Sequence, residues 1–116
     1  MLTNNTTKTY KISANLIPVD EEIIKVYMQG AVYAFCNTNK GEAFSVRILF
    51  GGDNRDWSGT PMQKIYDYYI KNGKSYDDAA ENAAVDAGRL LKAVLERDSR
   101  EFEIVGKNTG TLYKLV

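Results

Sequence analysis

Residues 75–97 read SYDDAAENAAVDAGRLLKAVLER, and residues 101–116 read EFEIVGKNTGTLYKLV. The first of these stretches repeats its apolar residues at helical spacing. Ala80, Ala83, Ala87, Leu90, Leu91, Val94 and Leu95 fall on one face, which predicts a helix running to about Arg97. Ser75, with Asp78 three positions on, is a start signal in which a hydroxyl accepts from an otherwise orphaned amide. The first half of the stripe is alanine, with Gly88 beside it, so a close approach by another backbone is expected there. The second stretch predicts two short strands, Glu101 to Lys107 and Thr111 to Val116. Asn108-Thr109-Gly110 is the turn of their hairpin.

Working upstream, Thr60-Pro61-Met62-Gln63 resembles a helix start, with Thr60 as the cap and Pro61 in the first turn. Met62, Ile65, Tyr66, Tyr69 and Ile70 then share a face, and Asn72-Gly73 stops the helix. Phe44, Val46, Ile48 and Phe50 alternate with Ser45, Arg47 and Leu49, which predicts a strand; a helical turn after Ser45 is the alternative. An earlier helix is expected from a cap at Asp20 to about Asn37. Its apolar stripe is Ile24, Met28, Ala31 and Phe35, widened by Ile23, Tyr27 and Ala34, so it should be central to the core. Tyr10, Ile12, Ala14 and Leu16 alternate with polar residues and predict a half-buried strand closed by Pro18. Residues 1–8 carry few apolar side chains and are expected to be flexible, leaving 9–116 as a single α+β domain. Ile24, Met28, Phe35, Ile65, Tyr69, Leu91 and Leu95 are the expected core.

Composition limits the chemistry. The chain has 116 residues, 15 basic and 15 acidic, one cysteine and no histidine. Lacking histidine, it lacks the commonest general base and the commonest zinc ligand. Asp53, Asp56, Asp77 and Asp78 do not have calcium-loop spacing, and the last two suit the first turn of a helix. Gly51-Gly52 is not followed by the Gly-Lys-Ser/Thr of a phosphate loop. No catalytic residue, metal or cofactor is expected, and the chain should not be an enzyme. The lone Cys36 reads as an inert core residue. No apolar run approaches the ~20 residues needed to span a bilayer. A cytoplasmic protein is the expectation.

The order helix, short strand, helix, helix, hairpin, from Asp20 to Val116, resembles a winged-helix domain. The resemblance rests on Gly88 to Leu95 leading into Phe102-Glu103-Ile104-Val105, and on the closing Thr111-Leu112-Tyr113-Lys114-Leu115-Val116. It implies an α+β fold of three helices with a small antiparallel sheet, plus an extra N-terminal strand. It also implies that the third helix enters the DNA major groove while the hairpin touches the backbone. Arg89, Lys92, Arg97, Arg100, Lys107 and Lys114 would then form the nucleic-acid face.

The plainer account pairs these charges on the helix surface, Arg89 with Asp86 and Lys92 with Glu96. A net charge of zero suits that account, because phosphate neutralisation supplies much of the affinity of DNA binders. The alternative function is therefore a small protein-binding inhibitor or adaptor, of phage or mobile-element type, that uses Arg55, Trp57 and Tyr68. Trp57 reads more readily as a core anchor than as a hot spot. Tyr66 and Tyr69 belong to the buried face of their helix. DNA, a protein partner and a second copy of the chain all remain open as partners.

Overall fold

In the computed structural model the described residues are 1–5, 10–51, 56–107 and 110–116. Among the described residues four helices, rather than three, precede a hairpin: α1 (Pro18–Thr38), α2 (Val46–Phe50), α3 (Gln63–Lys71) and α4 (Tyr76–Arg97), then β1 (Phe102–Lys107) and β2 (Thr111–Leu115). The result is a mixed α+β arrangement with a two-stranded antiparallel sheet. None of these helices is long and apolar enough to cross a membrane.

Helix α4 is central. Ala79, Ala87, Leu90, Leu91 and Leu95 are fully buried, and Ala83 and Val94 are nearly so; Ala80, expected on this stripe, is only half-buried and Ala79 takes the inward position. Small side chains in the first half of that stripe leave room for α3, which packs against α4 and is joined to it through the turn at Gly73 (φ +89°). Ser75 accepts the Asp78 amide at 3.2 Å, as a helix cap should. The sheet lies beyond the end of α4. Phe102 on β1 and Tyr113 on β2 point into the core, where Phe44 meets both rings at 6.0 Å.

Phe44 is also a backbone bridge to Tyr113, on the free edge of β2. The chain then leaves strand geometry at once. Ser45 accepts the Ile48 amide at 3.3 Å and starts α2, so Val46–Phe50 is the helical alternative and not a strand. Trp57 is buried, and its indole N–H reaches the Phe50 carbonyl at 3.2 Å.

Several expectations near the N-terminus are corrected. Leu2, inside the segment expected to be flexible, is buried and bridges Phe102 in parallel on the free edge of β1. Residues 6–8 of that segment lie outside the described residues. Ile12 and Ala14 are buried as their alternation predicts, but residues 10–16 are a strap rather than a strand. Side chains of α4 take up the Tyr10 hydroxyl, the Lys11 carbonyl and the Ser13 and Ala14 amides. Pro18 opens α1 instead of closing a strand, which fits its fixed φ at a first helical position. Asp20 does not cap; its carboxylate lies 3.7 Å from Lys64.

The inward stripe of α1 is Ile24, Met28, Val32 and Cys36. Phe35 is only half-buried, and Ile23, Tyr27 and Ala34 are exposed. Thr60 is not a cap either. Its hydroxyl donates to the Trp57 carbonyl at 2.8 Å, and the residue before α3 is Met62, already in helical geometry.

Candidate binding site

A broad concavity lies where three elements meet. Ala80, Ala84, Val85 and Gly88 on the outer side of α4 form its floor. Ser45 and Arg47 at the start of α2 form one wall, and Gly110, Thr111 and Tyr113 of the hairpin form the other. The groove encloses about 620 Å³, within the range of ordinary binding sites. The small side chains of its floor leave this space open. An added Cβ at Gly88 would meet no atom within 4 Å, so the glycine opens toward the groove and is not pressed by another backbone.

Charge is segregated along this groove. Asp77 and Glu81 line the end near the start of α4. Arg89 and Lys92 line the other end, and Arg47 adds a third base. The strap closes the basic end. Arg89 donates to the Lys11 carbonyl at 3.2 Å, and the Lys92 ammonium lies 5.5 Å from the centre of the Tyr10 ring. The Tyr10 hydroxyl donates to Glu96 at 3.1 Å, so Glu96 is engaged by the strap. Burial and then the nearby Lys107 charge lower the Lys92 pKa, against the opposing pull of Glu96.

Asp86 has no part in an ion pair with Arg89. It faces inward and is 1% exposed. Its carboxylate accepts the Ser13 and Ala14 amides at 3.0 and 3.1 Å and the Tyr69 hydroxyl at 2.5 Å. Three converging donors are what a buried carboxylate requires. Burial first, and then the bond to Asp86, raise the Tyr69 pKa strongly. Sequence reasoning missed this knot because its partners are distant along the chain.

The six basic residues thus divide. Arg89 and Lys92 meet at the groove, and Lys107 lies close enough to influence Lys92. Arg97 leaves the set, held by Glu22 at 3.0 and 3.4 Å. Arg100 is held by Asp98 at 2.7 and 3.0 Å and covers the Tyr33 ring at 4.0 Å. Lys114 sits opposite Glu103 on the sheet face away from Tyr113. Arg47 joins the groove, and only its place beside the Ser45 start signal could have suggested it.

Among the alternative residues, Trp57 is in the core. Tyr68 is half-buried, edge-on to Tyr69 at 5.1 Å. Arg55 lies outside the described residues, as do Gly52, Asp53 and Asn54 of its loop and Asn108 and Thr109 of the hairpin turn. Burial raises the Cys36 pKa. Among the described residues no group of three or more His, Cys, Asp or Glu is placed to hold a metal ion. No protein-family model, curated protein or solved structure matches this chain.

Proposed function

We propose that the chain is a non-enzymatic binding module that seats a segment of a protein partner in the groove between α4, α2 and the hairpin. The observation that carries this reading is the charge segregation of the groove over a floor of small side chains. A DNA backbone is uniformly anionic and would meet Asp77 and Glu81 unfavourably. A polypeptide can offer both signs of charge. From Glu81 to Lys92 the rise along α4 is about 16 Å. A matching segment would carry a basic and an acidic group separated by about five residues if extended, or about eleven if helical.

One observation favours a second reading, the winged-helix DNA binder. Phe44 bridges β2, and the hairpin shares the groove with Arg89 and Lys92. In that case duplex DNA should bind with a steep salt dependence. Lys92→Ala with Lys107→Ala should flatten that slope by roughly one unit per lost phosphate contact.

One pair of measurements separates the two readings. Selection from a random peptide library on the intact protein should enrich segments of the stated polarity. Ala84→Trp, which fills the groove, should abolish their binding while leaving the melting temperature nearly unchanged. Duplex DNA should show no binding near 150 mM salt. Salt-sensitive DNA binding that Lys92→Ala weakens would overturn the proposal, as would enriched peptides indifferent to Ala84→Trp.

A further inference from the structure

Helix α1 has two apolar faces: one packs into the core, and the other stays largely exposed, with Arg100 over the Tyr33 ring at one end. The inner face is Ile24, Met28, Val32 and Cys36. On the outer face Val19 is 58% exposed, Ile23 49%, Val26 63% and Tyr33 52%. Gly30 and Ala34 are exposed between them. The charged residues of this helix, Asp20, Glu21, Glu22 and Lys25, all fall outside this face. An exposed helical face is ordinarily polar, and contiguous apolar patches above a few hundred Å² are uncommon on monomers.

The face also has a period. Val19, Ile23, Val26, Gly30, Tyr33 and Asn37 are spaced alternately by four and three residues. That is the seam of a two-helix contact, and a second helix is the shape that fits it. Gly30 points the same way. Glycine weakens a helix interior, and among the described residues no atom beyond the adjoining helix backbone lies within 4 Å of where its Cβ would stand. No contact inside the chain demands a glycine there, whereas a helix crossing the outer face closely would.

We infer that this face is covered by α1 of a second copy of the chain, antiparallel about a two-fold axis near residue 28. The seam is complementary to itself in that register. Val26 of each copy meets Gly30 of the other, Ile23 meets Tyr33, and Val19 meets Asn37. A parallel pairing would set Gly30 on Gly30 and leave a gap. In the antiparallel register Asp20 and Glu22 approach the uncharged Ala34 and Cys36 end of the other helix, so no like charges meet.

Two such faces bury on the order of 1,000–1,200 Å², the lower end for a specific interface. The formal net charge of zero adds no mutual repulsion. An anionic lipid surface is a poorer occupant, because three of the four charged residues of α1 are acidic. This contact is separate from the groove of α4 and does not depend on how that groove is used.

The test is the mass of the intact protein by sedimentation equilibrium from about 1 to 100 µM, with Val26→Glu and Gly30→Trp beside it. A two-copy mass is expected. Each variant should raise the dissociation constant at least about 100-fold, as loss of a central anchor does. Because both positions are exposed, the dilute Val26→Glu chain should melt close to the dilute parent, and Gly30→Trp should melt no lower, since any residue favours a helix more than glycine does. Mixing Val26→Cys with Gly30→Cys chains under mild oxidation should cross-link unlike chains faster than like ones. A one-copy mass throughout would overturn the inference and leave the face to a different protein. So would a two-copy mass that Val26→Glu does not disturb, or a preference for like-with-like cross-links.

Discussion

Helices α1 and α4 are almost the same length, 21 and 22 residues, and each turns one face to the same core. They differ in what the two faces hold. The inward face of α4 contains a carboxylate, Asp86, and its outward face mixes both signs of charge. The inward face of α1 holds no charge, and its outward face holds Val19, Ile23, Val26 and Tyr33. Hydropathy alone would rank α1 as the more deeply buried helix. The contrast teaches that burial follows satisfied partners as much as apolar character. Asp86 goes inside because three donors wait for it, whereas Val26, apolar as it is, stays 63% exposed.

The largest expected effect tests the polar half of that contrast. Asp86→Ala should destabilise by about 4 kcal/mol, since it strands the Ser13 and Ala14 amides and the Tyr69 hydroxyl in a dry site. Urea unfolding measures this. A loss below about 1 kcal/mol would mean that the carboxylate is incidental and would dissolve the contrast.

A middle-sized effect concerns Asp98, where the two helices are joined. Asp98 caps the end of α4, is 6% exposed, and accepts from Gln29 of α1 at 2.8 Å. Burial raises its pKa, but the side-chain and backbone bonds from Arg100, and then the Gln29 bond, outweigh that and bring it from 3.8 to about 2. A folded pKa below the unfolded one stabilises above the unfolded value and loses its effect as pH falls through the folded one. About 2 kcal/mol should therefore disappear between roughly pH 4 and pH 2. In Asp98→Asn this share of the acid loss should be missing from melting curves across that window.

The smallest effect sharpens the apolar half. In a Val26→Glu background, which keeps the chain dilute and single, Gly30→Ala should stabilise by about 0.5–1 kcal/mol. The new methyl meets no atom within 4 Å. Destabilisation measured by thermal melting would show that the outer face is already occupied by its own chain.

The legible parts of the molecule were those specified locally. The stripe of α4, the Ser75 cap, the Gly73 stop and the hairpin all depend on residues within a few positions of one another. Contacts between distant residues were not legible. Asp86 stands three positions from Arg89, which suggests a surface pair, yet its backbone donors lie 72 and 73 residues away. The alternation of Tyr10 to Leu16 marked half of that segment for burial correctly, but alternation says nothing about whether a strand or a carboxylate takes the amides.

On α1 the period was right and the phase was not. Two apolar faces fit the same helical repeat, and only the positions of α4 and the sheet choose between them. At Thr60 the hydroxyl donates to the Trp57 carbonyl instead of accepting from a helix amide. For the groove, Arg89 and Lys92 were within reach of sequence reasoning. Arg97, Arg100 and Lys114 were not separable from them, because a charge count cannot see Glu22, Asp98 or Glu103 across the fold.

The knot at Asp86 has a consequence for how the chain is made. Its backbone donors emerge from the ribosome 73 and 72 residues before their acceptor. At ordinary elongation speeds that is roughly 4–15 s. Throughout that interval the strap has no partner but water, and α1 follows it out with both apolar faces uncovered. The strap and α1 thus wait until α4 is synthesised, and anything that stalls translation before α4 lengthens the time that both faces of α1 stand open to other molecules.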